Sequence, residues 1–139
     1  TSTDTRSPLI SGRLTFRLDA PLAAHQVECH PLLQQAELRA LADEYGHTLV
    51  AYSPLAKGAV TDVPELVDIA EERGTTPAQV SLAWLRSKDV VAVPKATSEG
   101  HVRENLASRD LSLTDAEIAR IDGIDRTRRL VDFDGAPWR

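Results

Sequence analysis

Apolar positions recur along this chain with two periods, and the switches between them mark out short strands and helices. Leu14, Phe16 and Leu18 alternate with polar residues, which predicts a short half-buried strand. Asp19-Ala-Pro-Leu then makes a turn. Residues 24–28, Ala-His-Gln-Val-Glu, predict a second short strand, ended by Pro31. Leu38, Leu41, Ala42 and Tyr45 return at helical spacing, with Gly46 as the stop. Residues 48–52, Thr-Leu-Val-Ala-Tyr, read as a buried strand, followed by the loop Ser53-Pro-Leu-Ala-Lys-Gly-Ala. Pro64 opens a helix that carries Leu66, Ile69 and Ala70 and stops at Gly74. Thr76-Pro-Ala-Gln joins a capping box to a proline at the first helical position, and that helix turns Val80, Ala83, Trp84 and Leu85 toward the core. Val90, Val91 and Val93 form a β-branched run closed by Pro94. Ser98 caps the next helix. Thr114-Asp-Ala-Glu is a second capping box, opening a helix with Ile118 and Ile121 that Gly123 stops. Residues 126–139 are irregular and end near Pro137 and Trp138.

Strand, helix, strand, helices, strand, helix is the order of a parallel sheet with crossover helices. The strands are near-continuous apolar runs, as expected when both faces of a sheet are covered. A closed barrel and a doubly wound sheet both fit. In either, sites form at the carboxyl ends of the strands. Three such ends can be named: Cys29-His30-Pro31, Ser53 to Lys57, and Pro94 to Ser98.

Composition narrows this. At 139 residues the chain is one domain at most. A net charge of −5 argues against nucleic acid as the main partner. No apolar run approaches ~18 residues, so no membrane-spanning helix is expected, and residues 1–13 carry no stretch of signal-peptide type. The first residue is Thr, which fits a processed protein or a fragment. Cys29 is the one cysteine, which fits a reducing compartment, and a cytoplasmic location is expected. Lysine is scarce: Lys57, Lys88 and Lys95 stand against thirteen arginines. Two of the three lie just past predicted strands.

That placement draws attention to residues 90–106. A strand, then Lys95, then a helix N-terminus at Ser98 are the parts of an anion site in an α/β protein. They are equally the parts of an ordinary connection with a solvated lysine. His25, Cys29 and His30 resemble metal ligands by type, but strand alternation puts the two histidines on opposite faces, so no metal is expected. Cys29 reads as a small buried residue rather than a nucleophile.

Taken together, Gln26-Val-Glu-Cys-His-Pro-Leu, Ala51-Tyr-Ser-Pro-Leu-Ala-Lys-Gly, Val93-Pro-Lys-Ala-Thr and Arg103-Glu-Asn-Leu resemble the aldo-keto reductases, in that family's order and spacing. The match runs from about Gln26 to Leu130. It implies a (β/α)8 TIM-type barrel of which this chain is the C-terminal portion, about three family strands with their helices, incomplete as a barrel. Residues 1–22 match poorly, and residues 23–139 form the C-terminal part of the NADP-dependent oxidoreductase domain. By resemblance the activity is NAD(P)H-dependent reduction of aldehydes or ketones, with NADP(H) favoured over NAD(H) and a small carbonyl compound as substrate.

The resemblance assigns a cofactor role to each matching position. Gln26 would hydrogen-bond the nicotinamide carboxamide, and Tyr52 would stack on its ring. Ser53, Leu55 and Lys57 would line the pyrophosphate path. Lys95 would meet the adenosine 2′-phosphate, with Ala96 beside it where the family often has serine. His101 stands where the family usually has an arginine that packs on the adenine, and a histidine supplies less charge at neutral pH. Glu104 and Asn105 would address the adenine. The family's catalytic Asp, Tyr, Lys and His lie in its first four strands, and their motifs are absent from these 139 residues. The chain by itself is therefore expected to be inactive. The alternative is a non-enzymatic truncated remnant, or a half-barrel that needs a partner chain. An incomplete parallel sheet exposes two edges and apolar interior side chains, which predicts self-association or pairing with a complementary half. Trp138 falls where the family's C-terminal loop borders the substrate pocket.

Overall fold

The computed structural model describes residues 22–135, so the strand expected around Leu14–Leu18 and the residues near Trp138 lie outside the described residues. Three strands, β1 (Ala24–Glu28), β2 (Thr48–Tyr52) and β3 (Val91–Val93), form a parallel sheet in the order β1-β2-β3. The register pairs Gln26 with Val50 and Val91, and Glu28 with Tyr52 and Val93. Each crossover is helical. Helix α1 (Ala36–Tyr45) joins β1 to β2; α2 (Pro64–Arg73) and α3 (Pro77–Ser87) join β2 to β3; α4 (Glu99–Ala107) and α5 (Asp115–Asp122) follow. This is about three consecutive βα units of an incomplete (β/α)8 barrel.

The helix ends form where the local chemistry directs. Gly46 and Gly74 take left-handed backbone, φ 73° and 64°, and their amides close the last turns of α1 and α2. Thr76 and Thr114 each complete a capping box, with Gln79 and Glu117 as the reciprocal partners. Ser98 accepts the His101 amide at the start of α4. Gly123 stops α5 in ordinary right-handed backbone, φ −78°.

One face of the sheet carries the core. Val27, Leu49 and Ala51 pack with Leu38, Ala42, Leu66, Ile69, Val80, Trp84, Leu85 and Ile121 into a single apolar cluster. Trp84 is fully buried, and its indole N–H donates to Asp122 Oδ1 at 2.9 Å, which satisfies its polar edge. The opposite face differs from expectation. Val91 and Val93 are each 52% exposed and Gln26 is exposed, so the apolar runs are covered on one face, not two. That face is the one a closed barrel turns inward, and three strands cannot wrap around it.

After α5 the chain doubles back along the carboxyl end of the sheet. Gln34 Nε2 donates to the carbonyl of Ile121 at 2.7 Å, Arg126 pairs with Glu65 at 2.5 Å, and the Arg128 amide donates to the carbonyl of Leu32 at 2.7 Å.

Candidate functional site

At the carboxyl ends of β2 and β3 the backbone opens into a cleft of about 470 Å3, lined by Ser53, Pro54, Leu55, Lys57, Gly58, Val93 and Lys95. Its size is that of a small-molecule site. The loop that builds it is unusual. Ser53, Ala56 and Lys57 all hold left-handed backbone, φ 50–51°, and Gly58 sits at φ 90°. Left-handed backbone costs a non-glycine residue roughly 1–3 kcal/mol and persists where surrounding structure over-determines it. Here it is over-determined. Pro54 and Ala56 are buried, the Ala56 and Gly58 amides close turns onto the Ser53 and Leu55 carbonyls at 2.9 Å, and the buried Ser81 hydroxyl on α3 donates to the Pro54 carbonyl at 2.8 Å. The chain then runs through tight 3₁₀-like turns, Ala56–Asp62, anchored by the fully buried Val60.

Four of the expected positions, Ser53, Leu55, Lys57 and Lys95, converge on this cleft from two loops far apart in sequence. Both lysines are exposed at its rim, and among the described residues no carboxylate lines it. Pro54, Gly58 and Val93 complete it; the first two lie within the same sequence motif, and Val93 ends the strand. Ala96 is half-buried in the loop after β3, and His101 is exposed on the first turn of α4. Asn105 is half-buried, with its carbonyl accepting from Ser108 Oγ at 2.6 Å. Glu104 has a structural commitment the sequence did not announce: its carboxylate accepts the Thr76 hydroxyl at 2.5 Å, and its carbonyl accepts from Gln79 Nε2 at 3.0 Å. Arg103, next to it, is turned to Glu99 at 2.6 Å.

Gln26 and Tyr52 lie on the other face of the sheet, the one that is open. Gln26 is exposed on β1 and Tyr52 half-buried at the end of β2. Burial pushes the Tyr52 hydroxyl above the usual tyrosine range; the Glu28 carboxylate adds to this and Arg129 works against it.

Glu28 and His30 were assigned no role in the site from the sequence, and both are fully buried. His30 Nδ1 accepts the Leu32 amide at 3.2 Å, so Nε2 carries the proton and donates to Glu28 Oε2 at 2.9 Å. The Glu28 carboxylate also accepts the Leu130 amide at 2.9 Å and the Val131 amide at 2.6 Å. Burial alone would raise its pKa; the hydrogen bonds from His30, Leu130 and Val131 outweigh it and hold the carboxyl below its usual range. Sequence patterning offered no sign of this, because the donors lie about a hundred residues away and are backbone groups. Cys29, between them, is buried and its thiol is pushed up to about 12, so it is no nucleophile near neutral pH. Among the described residues no three His, Cys, Asp or Glu side chains converge as metal ligands, and no helix is long and apolar enough to cross a membrane.

Comparison with known proteins identifies the family and the fold. Residues 14–126 match the model of the aldo/keto reductase family, beginning inside the segment 1–22 that the motifs left unassigned. An aldo/keto reductase of Synechocystis sp. is 39% identical over 136 residues, covering 85% of this chain and 41% of the relative. The methylglyoxal reductase DkgB of Yersinia pestis is 36% identical over 114 residues, 82% of this chain and 43% of its own length. Among solved structures, a mutant of Gox0644 in complex with NADPH superposes with a TM-score of 0.81 at 27% identity, over 88% of this chain and 46% of that one. An aldo/keto reductase from Brucella melitensis superposes with a TM-score of 0.77 at 28% identity, over 82% of this chain and 43% of that one. The chain thus spans about two fifths of the length of these relatives. A strained two-lysine cleft at the carboxyl ends of parallel strands, four motifs in order and a family match over most of the chain lead to one conclusion: this chain belongs to the aldo-keto reductase family.

Proposed function

We propose that this chain is the cofactor-binding part of an NAD(P)H-dependent reductase of aldehydes or ketones, and that the family's catalytic Asp, Tyr, Lys and His come from outside residues 1–139. The observation that carries this reading is the cleft. Among the described residues two cations and no carboxylate line it, so its charge suits the phosphates of a dinucleotide. Its backbone is held in shape before any ligand arrives, which lowers the ordering cost of binding. Lys57 would serve the pyrophosphate and Lys95 the 2′-phosphate of NADPH. Gln26 and Tyr52 would meet the nicotinamide on the open face, where an aromatic ring holds a flat heterocycle by stacking. Ser53 and Leu55 would line the path between, and Ala96, His101, Glu104 and Asn105 would border the adenosine. Glu104 would do so with the oxygen that Thr76 does not use. The bound nicotinamide supplies the hydride; these residues bind and orient it.

The test is a titration of the purified chain with NADPH and NADH, following nicotinamide fluorescence, with size-exclusion chromatography of the same sample. Saturable binding by a discrete species, tighter for NADPH, is the expected result. A folded, discrete chain that binds neither cofactor would overturn the reading.

A second reading is favoured by the exposure of Val91 and Val93: a non-enzymatic half-barrel that pairs with a complementary chain. Its mark would be a stable dimer, or capture of a separately expressed front half of the barrel, without cofactor affinity.

A further inference from the structure

We propose that Glu28 is a positioning residue: it latches residues 128–131 across the carboxyl end of the sheet beside Tyr52, and so fixes one wall of the space into which the nicotinamide end opens. This rests on the reading above that Tyr52 faces the nicotinamide. Glu28 and Tyr52 are register partners on adjacent strands, so their side chains share the open face. Glu28 is fully buried there, yet it keeps its charge. It does so on three N–H donors, of which only one, His30, belongs to its own neighbourhood. The other two are the amides of Leu130 and Val131. Arg129 immediately precedes those two anchor residues and is close enough for its charge to act on the Tyr52 hydroxyl. The segment has other ties, Arg126 to Glu65 and the Arg128 amide to Leu32. The first is solvent-exposed and the second is one neutral bond. Among these ties the Glu28 contact is the one that joins a buried charge to the segment, and a buried anion stripped of its donors is far more costly than a lost surface pair. The position of the segment and the ionised state of Glu28 therefore require each other.

Glu28→Gln tests this. The amide nitrogen of glutamine brings N–H groups against backbone N–H groups, so one donor bond is replaced by a clash of donors. Amide hydrogen exchange at Leu130 and Val131 should accelerate about tenfold or more, and trypsin should cut faster after Arg128 and Arg129, while the Leu49 and Ala51 amides keep their protection. NADPH affinity should fall by about twofold or more, because one wall of the nicotinamide space is loosened while the lysine cleft is untouched. Unchanged exchange at Leu130 and Val131 would overturn the proposal. So would an equal loss of protection throughout β1 and β2, which would make Glu28 a core residue and not a latch. Should the glutamine variant fail to fold, Glu28→Asp decides by the same criteria, since it keeps the charge and shortens the reach by one methylene. A wild-type chain that binds no NADPH would remove the cofactor reading and leave the exchange result standing.

Discussion

Ser81 donates its hydroxyl to the carbonyl oxygen of Pro54 across 2.8 Å, and neither residue meets water. A helix that otherwise serves the core thereby sets the curvature of the loop carrying Lys57. Ser81→Ala leaves the Pro54 carbonyl buried without a donor, which costs about 1–3 kcal/mol. The urea midpoint should fall accordingly. NADPH affinity should fall with it, because the left-handed run loses its brace. A variant as stable as the wild type would show that the brace is dispensable.

Lys95 separates the two cofactors. Lys95→Ala should weaken NADPH by about tenfold, or 1.4 kcal/mol, and NADH far less, since only the former carries the 2′-phosphate. Parallel fluorescence titrations read this directly. Equal losses would move Lys95 to the shared part of the dinucleotide.

Thr76 and Thr114 cap their helices alike, yet they are unequal. The Thr76 hydroxyl accepts the Gln79 amide at 3.3 Å and also donates to Glu104 at 2.5 Å. Thr114 makes the first kind of bond only, to Glu117 at 3.2 Å. A cap alone is worth about 1 kcal/mol. Thr76→Ala should exceed Thr114→Ala by about 1 kcal/mol in chemical denaturation. Its excess should vanish in a Glu104→Ala background, as a double-mutant cycle would record.

Stability should fall in acid. Asp122 is partly desolvated, which raises its pKa, but the Lys88 ammonium and the Trp84 indole N–H more than offset this. Glu28 is likewise held below its usual range by its N–H donors, despite burial. A carboxyl whose folded pKa lies below its unfolded one stabilises fully above the unfolded value and loses that contribution as pH falls through the folded one. Thermal midpoints should therefore hold from neutrality down to the ordinary carboxylate range and drop below it. Asp122→Asn should flatten part of that drop.

What could be read from the sequence was what is locally encoded. The bounds of β1 and β2, the glycine stops after α1 and α2, and the caps at Thr76, Ser98 and Thr114 all follow from a few adjacent residues. The convergence of Ser53, Leu55, Lys57 and Lys95 came from motif order, and the cleft gathers them. Glu28 escaped because alternation marks it as one more polar strand residue, while the groups that bury it are amides at the far end of the chain. The resemblance assigned Glu104 to the adenine, and its bond to Thr76 escaped for a similar reason, that partner standing at the start of another helix. The left-handed run at Ala56 and Lys57 had no glycine to announce it. Its cause is tertiary, in Ser81 and the buried Pro54.

The strand β3 is three residues long and hydrogen-bonded to β2. Lys95 follows two residues after it. The lysine that would distinguish the cofactors thus rides on a part of the sheet with little holding it, where transient local opening is least costly. Whatever occupies the cleft bridges β3 to the loop after β2, and it does so only while both are folded. By mass action, a ligand at a hundred times its dissociation constant would add about 2.7 kcal/mol to the closed form. For such a piece of barrel, occupancy of the cleft would be linked to the survival of β3.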